Sequence, residues 1–473
     1  MSSSLSNESV TYELATQPIS KLLRQYAMPA IIAMTASSLY NLVDSIFVGR
    51  GCGALAFSGL AVTFPLINIL AAFGSLVGVG GSALISIRLG QKDYKTAGLV
   101  LGNVVLLNLI LGAAAGVAGL LFLDPILRCF GASDDTLVYA RSYMVVILCT
   151  NVFTHIYYGL NGVLRSAGHP KAAMYATIVA VVLNILLDPL FIFVFHRGVQ
   201  GAAIATVLSQ LVAILWQVFV LCRPKEVLHF HRGIFRLNRR IATDMLAIGL
   251  SPCLMNLAGC VIVVIINNQL RRYGGDLAIG AYGVINRITF IFCMIVMGLN
   301  QGMQPIVGYN YGAKHYDRML SVFRQTALWA TLVTTILFVC AEFAPEAMIR
   351  IFSTDEGLTS IAIPGIRMVC AVFLLNGYQM VAGNFFTSIG MARMSIFLSL
   401  TRQVLYLIPL LLVLPMYWGI NGVWWSMSIS DLLSCITAAV VLLIYIRRFR
   451  EMHRQHSLNG ETTVPPVGEP YEA

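Results

Sequence analysis

Long apolar stretches, separated by short polar or glycine-containing turns, follow one another along nearly the whole chain. A stretch of about 20 apolar residues is long enough to cross a membrane as a helix. The pattern predicts helices at 22–48, 54–86, 96–124, 135–162, 170–195, 201–222, 242–270, 276–307, 320–345, 358–386, 392–416 and 420–446. Since twelve is an even number, both termini are expected on the same side of the membrane.

The composition supports an all-α integral membrane protein. Of the 473 residues, 58% are hydrophobic and 11% are charged, whereas a soluble globular chain has about 25% charged residues. The ten cysteines are scattered singly and form neither a CxxC pair nor a metal-binding spacing. No phosphate-binding GxxxxGK[ST] loop occurs. We therefore expect no cofactor and no enzyme activity.

The net charge of +10 indicates membrane topology rather than binding to nucleic acid. Basic residues are concentrated in the segments on the side of the termini, above all in the linker RPKEVLHFHRGIFRLNRR. Because loops rich in Lys and Arg stay in the cytoplasm, both termini are predicted to be cytoplasmic.

An internal repeat divides the chain into two halves. Gly90-Gln91-Lys92 recurs as Gly312-Ala313-Lys314, and Ser166-Ala167-Gly168 recurs as Ser388-Ile389-Gly390, both 222 residues later. We expect an N-terminal tail at 1–19, an N-lobe at 20–222, a basic linker at 223–241, a C-lobe at 242–446 and a disordered tail at 447–473. A duplicated bundle with a site between or within its halves is typical of transporters.

Two acids, Asp44 and Asp188, interrupt apolar helices. A carboxylate at bilayer depth costs at least a few kcal/mol and usually marks an ion or proton pathway. Asn184 lies four residues before Asp188, on the same helix face. Pro189 follows directly, and because proline donates no backbone hydrogen bond, a kink is expected that frees the carbonyl of Ile185.

Counting residues from the helix ends places Tyr143 and Thr206 at a similar depth to these acids. The five side chains Asp44, Tyr143, Asn184, Asp188 and Thr206 could form one polar pocket. Carboxylate and amide oxygens suit Na⁺ or another hard cation, and the carboxylates could equally take up H⁺. The alternative is a structural network that only fixes helix packing.

The chain resembles the multidrug and toxic compound extrusion (MATE) family over residues 20–446. The resemblance is carried by LYNLVDSIFVGR at 39–50, NGVLRSAGHPKAAM at 161–174, LNILLDPLFIF at 183–193 and GLNQGMQPIVGYNYGAK at 298–314. Asp44, Asn184, Asp188 and Thr206 match the cation site of the DinF-like, MepA-like branch, with Tyr143 nearby. The NorM-like branch also has acids in helices 7 and 10, but helix 7 here has Asn267 and Asn268.

The resemblance implies a V-shaped, twelve-helix antiporter in the inner or plasma membrane of a bacterium or archaeon. Such a protein exports organic cations or amphipathic drugs by alternating access in exchange for Na⁺ or H⁺, contacts membrane lipids and needs no partner subunit.

A substrate cavity is predicted between the lobes. Its candidate residues are Met34, Ser37, Tyr40, Asn161, Arg287, Gln304 and Asp431. Asp431, Arg287 and Arg402 could instead form a buried ion-pair network that holds the C-lobe together.

Two other functions compete with drug export. A flippase for lipids or polysaccharide precursors would have basic residues in the cavity, for which Arg287 and Arg402 are the candidates. The other alternative is a membrane enzyme or a receptor; an enzyme would need a nucleophile–base or metal cluster at the membrane face, and the sequence shows none.

Overall fold

The computed structural model describes residues 13–223, 226–352 and 355–458, and within these ranges the chain is helical without a β-strand. We number the membrane-spanning segments as spans 1 to 12. Their bounds are Ile19–Cys52, Ala54–Gly90, Tyr94–Leu121, Asp134–Cys149 with Asn151–Ser166, Pro170–Val194, Gly198–Leu221, 239–274, 276–312, Tyr316–Phe343, Glu356–Cys370 with Phe373–Ser388, Ala392–Trp418 and Ile420–Leu458.

The count of twelve follows from the helices themselves. Eight described helices are long and apolar enough to cross a membrane, and the number is ten if spans 4 and 10, each bent within the membrane, are included. Spans 7 and 8 form one continuous stretch, Arg239–Gly312, which breaks at Gly275, where φ is 70°. Span 1, whose charged residues lower its hydropathy, completes the set.

The two halves repeat each other helix by helix. Spans 3 and 9 begin at Tyr94 and Tyr316, and spans 6 and 12 begin at Gly198 and Ile420, in each case 222 residues apart. Spans 4 and 10 are bent by 57° and 51°. Spans 1–6 form the N-lobe and spans 7–12 the C-lobe.

The predicted end of span 12 needs correction. Span 12 was expected to end at 446 before a disordered tail, but the helix continues to Leu458. The extension is held because Phe449 is buried and stacks on Tyr316, and His453 lies 2.8 Å from Asp317. Residues 459–473 of the predicted C-terminal tail, 1–12 of the N-terminal tail and 224–225 of the linker lie outside the described residues.

The lobes meet closely at the end of the molecule where span 1 begins and span 12 ends, which we call the terminal end. There the backbones of spans 2 and 8 touch. A Cβ added to Gly90 would lie 2.0 Å from the carbonyl oxygen of Tyr309, and one added to Gly312 would lie 2.1 Å from that of Ile87. Only glycine at these two equivalent positions of the repeat permits such an approach.

The segment before span 1 crosses to the opposite lobe. This N-terminal strap, Glu13–Gln17, is held by two residues of the C-lobe. The Arg318 guanidinium donates hydrogen bonds to the carbonyls of Leu14 (3.3 Å) and Gln17 (2.7 Å). The Asn310 amide also donates to the Leu14 carbonyl (3.4 Å).

The segment before span 7 makes the reciprocal crossing. In this linker strap, 232–238, the carbonyl of Arg236 accepts a hydrogen bond from Asn103 of span 3 (3.1 Å). The backbone N–H of Asn238 donates to the Asn103 side chain (3.0 Å). Leu14 and Arg236 are 222 residues apart, so the two straps are equivalent in the repeat and fasten each lobe to the other.

Away from the terminal end the lobes separate. Gly259 of span 7 and Gly283 of span 8 have no neighbouring atom within 4 Å of a Cβ position, and Phe64 of span 2 is 60% exposed. From this loss of contact we infer that a cleft separates the lobes and opens at the end opposite to the terminal end, which we call the open end.

Candidate functional site

The site lies inside the N-lobe, where the shape of span 5 changes. The α-helix Pro170–Pro189 is continued by a π-helical turn, Leu190–Val194. The sequence predicts a disturbance here because Pro189 offers no N–H to the carbonyl of Ile185. The structure accommodates the proline by widening the helix in the following turn. Asp188 is the last residue before this proline and is fully buried.

Span 1 approaches this turn through a glycine. A Cβ on Gly51 would lie 2.6 Å from the Ile192 side chain and 2.9 Å from the Phe193 ring, so glycine allows span 1 to approach the π-helical turn closely. Asp44 precedes Gly51 by seven residues, or two helical turns, and therefore lies on the same face. This contact directs Asp44 toward span 5.

Asp44 and Asp188 meet in this buried space. Their carboxyl groups are close enough to interact, and the two residues are 7% and 0% exposed. The Oδ1 atoms of both are buried and have no hydrogen-bond partner among the described residues. Buried polar atoms without partners are rare in proteins and call for an explanation, such as a bound ion, a proton or water.

An amide and three hydroxyls surround the acid pair. When the Asn184 side chain is oriented to satisfy its neighbours, its nitrogen donates to Asp188 Oδ2 (2.8 Å) and its oxygen accepts from the Thr206 hydroxyl (3.0 Å). The Thr206 hydroxyl also lies 3.1 Å from the Tyr40 hydroxyl and 3.0 Å from the Ala202 carbonyl, and Tyr143 is a buried neighbour of this group. Because a hydroxyl has one proton and two lone pairs, Thr206 can donate to Asn184 or to Ala202 while it accepts from Tyr40.

This arrangement can hold one positive charge. Two ionised carboxylates in contact repel each other strongly in a poorly solvated site, so a shared proton or a bound cation lowers the energy. The amide orientation described above, with nitrogen toward Asp188, suits a proton shared by the pair. A Na⁺ between the acids would favour the Asn184 oxygen instead, since cations are bound by oxygen atoms.

The structure therefore brings together Asp44, Tyr143, Asn184, Asp188 and Thr206, and their role in cation coupling stays a prediction. Tyr40 was expected in the substrate cavity but lies in this cluster. A signal was present in the sequence, because Tyr40 and Asp44 are four residues apart on one helix. Spacing alone did not reveal which helix would meet that face.

The other predicted cavity residues occupy several different places. Met34 receives a hydrogen bond from Gln301 (3.3 Å) where span 1 meets span 8. Gln304 is buried and donates to the carbonyl of Val79 (3.2 Å), so it joins the lobes rather than lining the cleft. Ser37 is half-buried on span 1.

Asn161 lies within the N-lobe rather than at the cleft. Its amide donates to the Ala173 carbonyl (3.1 Å) and the Thr177 hydroxyl (3.2 Å) of span 5, and its oxygen accepts from Arg165. These bonds fasten span 4 to span 5 near the terminal end.

The proposed three-residue ion-pair network in the C-lobe is reduced to one pair. Arg402 Nε lies 2.6 Å from Asp431 Oδ1, and the two side chains are 26% and 5% exposed. Span 11 forms a π-helical stretch here, Thr401–Leu407. Arg287 is exposed and makes no ion pair among the described residues.

A duplicated bundle of twelve membrane-spanning helices, with a charged site in one lobe and a cleft between the lobes, defines a secondary transporter. A sequence model of the family described as MatE matches residues 29–190 and again 247–412, one stretch in each lobe. The chain belongs to the MATE family, whose members are secondary transporters and not enzymes.

Curated relatives match almost the whole chain. The multidrug export protein MepA of Staphylococcus aureus is 27% identical over 439 residues, which cover 93% of this chain and 96% of that protein. MepA of Staphylococcus haemolyticus is 28% identical over 432 residues, covering 91% and 94%.

Solved structures agree in fold. The MATE multidrug transporter DinF-BH, in complex with rhodamine 6G, is 35% identical with a TM-score of 0.84, over 91% of this chain and 96% of that one. A multidrug resistance MATE transporter in an outward-facing conformation is 25% identical with a TM-score of 0.87, over 93% and 98%.

Proposed function

We propose that the protein exports organic cations and amphipathic drugs in exchange for H⁺ or Na⁺ by alternating access. It would work as a monomer among membrane lipids in the inner or plasma membrane of a bacterium or archaeon. Its terminal end would face the cytoplasm, since the described part of the basic linker lies there together with the start of span 1 and the end of span 12. The acid pair in the N-lobe would couple the two transported species.

The contact between Asp44 and Asp188 is the observation that carries this proposal. Packing alone is a poor reason to bury two acids side by side, because uncompensated buried charge is strongly destabilising. The Oδ1 atoms of the two acids have no hydrogen-bond partner among the described residues. One added cation or proton would supply the missing partner. The similarity to multidrug export proteins supports drugs as the exported species.

The described state is one end of the proposed cycle. The terminal end is sealed by glycine contacts and straps, so the cleft would face outward. There H⁺ or Na⁺ reaches the acid pair and neutralises it. Asp44 and Asp188 then no longer repel each other. The surrounding side chains, Asn184, Thr206 and the two tyrosines, rearrange around them.

Span 1 is the element that could transmit this change to the cleft. It carries Asp44 on one face, while Ala27 and Ile31 on another face touch Gly302 and Gly298 of span 8. Movement of Asp44 would thus change the wall of the cleft and lower its affinity for drug. By linkage, drug binding must lower the cation affinity by the same factor.

Proteoliposomes loaded with a fluorescent cation such as ethidium test the proposal. A pH gradient and a Na⁺ gradient are imposed separately on vesicles containing wild type, Asp188→Asn or Asp276→Asn. Asp276 is an exposed acid at the open end and serves as the control. Export driven by one gradient, lost in Asp188→Asn and kept in Asp276→Asn, supports the antiporter and identifies its ion. Absence of export under both gradients contradicts it.

A further inference from the structure

Arg287 is a charged residue within a membrane span, and no ion pair or hydrogen bond among the described residues explains its presence there. Its side chain is exposed on span 8, and it forms no ion pair with any carboxylate of that part of the chain. It lies twelve residues beyond the break at Gly275, about 18 Å along the helix. At that depth a lipid-facing arginine would be costly, and intramembrane charges usually face water-filled space inside the protein.

Helical periodicity gives the direction in which Arg287 points. Farther along span 8, Gly298 contacts Ile31 of span 1 and Gln301 contacts Met34. At 3.6 residues per turn, these two positions lie about 20° and 40° to either side of Arg287. Arg287 is therefore on the line of span 8 that faces the N-lobe.

The opposite side of span 8 is packed. Ile285 and Ile288 are buried in the hydrophobic core of the C-lobe, roughly half a turn and one-third of a turn from Arg287 respectively. Since the lobes touch at Gly298 but have separated at Gly283, the space in front of Arg287 is the cleft. Its guanidinium thus presents an uncompensated positive charge to the substrate path.

We propose that Arg287 determines substrate specificity by binding the carboxylate of zwitterionic amphipaths, molecules that carry both a cationic amine and an acid group. The guanidinium forms paired hydrogen bonds with a carboxylate, a geometry that lysine cannot reproduce. The acid pair lies buried inside the N-lobe, so Arg287 is separate from the proposed cation site. This inference rests on the proposed drug export.

Two dyes with the same ring system provide a matched test. Rhodamine 6G is an ethyl ester and a cation, and rhodamine 19 is the corresponding free acid and a zwitterion. Export of each is measured from proteoliposomes under the gradient that drives transport, with protein-free vesicles to subtract leakage. Fluorescence polarisation gives the affinity of each dye for the purified protein.

The variants are Arg287→Gln, Arg287→Glu and the control Asn286→Ala, which changes an exposed neighbour on a different helix face. Loss of an exposed ion pair is expected to lower the affinity ratio of free acid to ester about fivefold in Arg287→Gln. The ratio should fall further in Arg287→Glu because like charges repel, and it should stay unchanged in Asn286→Ala.

The outcomes separate this inference from the proposed function. If all variants export the ester and their ratios equal that of wild type, Arg287 does not select substrates, while drug export stands. If Asn286→Ala reduces binding and export of the free acid as much as Arg287→Gln does, the effect is not specific to Arg287. If wild type exports neither dye under either gradient, the proposed function and the inference both fail.

Discussion

The contact between spans 2 and 8 gives the sharpest prediction. Gly90→Ala places a methyl group where the structure has only 2.0 Å to the Tyr309 carbonyl oxygen. A carbon and an oxygen need well over 3 Å, so the two helices must move apart by more than about 1 Å. This movement opens the seal at the terminal end, which we take to exist only in the outward-facing state.

The size of the effect follows from the rigidity of that contact. The obstructing atom belongs to the backbone of a helix and cannot turn aside as a side chain would. Overpacking of this kind costs about 1–3 kcal/mol. If the inward-facing state is spared this cost, the ratio of outward-facing to inward-facing molecules falls by roughly 5-fold to 150-fold.

Gly312→Ala should act through the same contact, since its Cβ would lie 2.1 Å from the carbonyl of Ile87. Once the helices have parted for one methyl group, the second costs little. The double variant Gly90→Ala/Gly312→Ala should therefore shift the equilibrium by much less than the sum of the two single effects.

Distances between spin labels across the open end measure this equilibrium. The labels can replace Asp135 in the N-lobe and Asp276 in the C-lobe, both exposed. Because the chain has 10 cysteines, the labels are best attached to p-acetylphenylalanine. The expected result for Gly90→Ala is a larger population with a short distance, because the open end closes as the terminal end opens.

Gly259→Ala is the matched control, because a Cβ there meets no atom within 4 Å and alanine favours the helix. It should leave the distance distribution unchanged. If Gly90→Ala behaves like Gly259→Ala, with both proteins folded, the close backbone contact does not hold the terminal end shut and the reasoning is wrong.

Three further predictions concern the straps, the C-lobe pair and the hydroxyl cluster. Arg318→Gln weakens the charge-assisted bonds to the N-terminal strap, about 1.5–3 kcal/mol, and should shorten the distance across the open end; an unchanged distribution would argue against a fastening role. Asp431→Asn leaves Arg402 without its counter-charge and should lower the free energy of unfolding by about 3 kcal/mol. Adding Arg402→Gln to this variant should restore most of the loss; additive losses in the double variant would contradict the pairing. Thr206→Val removes a hydrogen-bond partner shared by the Asn184 amide and the Tyr40 hydroxyl, about 1 kcal/mol, and should slow gradient-driven export several-fold; wild-type export would exclude Thr206 from coupling.

Helix count and repeat could be predicted because they depend on local patterns. The length of each apolar stretch decides whether it spans the membrane, and the repeat is written directly in motifs such as those at Gly90 and Gly312. The cluster around Asp188 could also be predicted from the sequence. The i, i+4 spacing from Asn184 and the depth of each residue along its helix depend only on regular helix geometry.

Contacts between segments that are distant in sequence could not be predicted in this way. The bond from Arg318 to Leu14 joins residues 304 positions apart, and no local pattern encodes it. Arg402 pairs with Asp431, whereas Arg287 makes no ion pair among the described residues, and this difference depends on how spans 8, 11 and 12 pack. Tyr40 was misplaced for the same reason.

The central claim is that the drug and the coupling ion weaken each other's binding. The most direct test is whether drug binding releases the ion. Purified protein is equilibrated with ²²Na⁺, or in a weakly buffered solution at a series of pH values, and rhodamine 6G is added. We expect the wild type to release Na⁺ or H⁺ as the dye binds, and Asp44→Asn/Asp188→Asn to bind dye without releasing either. Dye binding to wild type with no ion released, or equal release from the double variant, would contradict coupling at this pair.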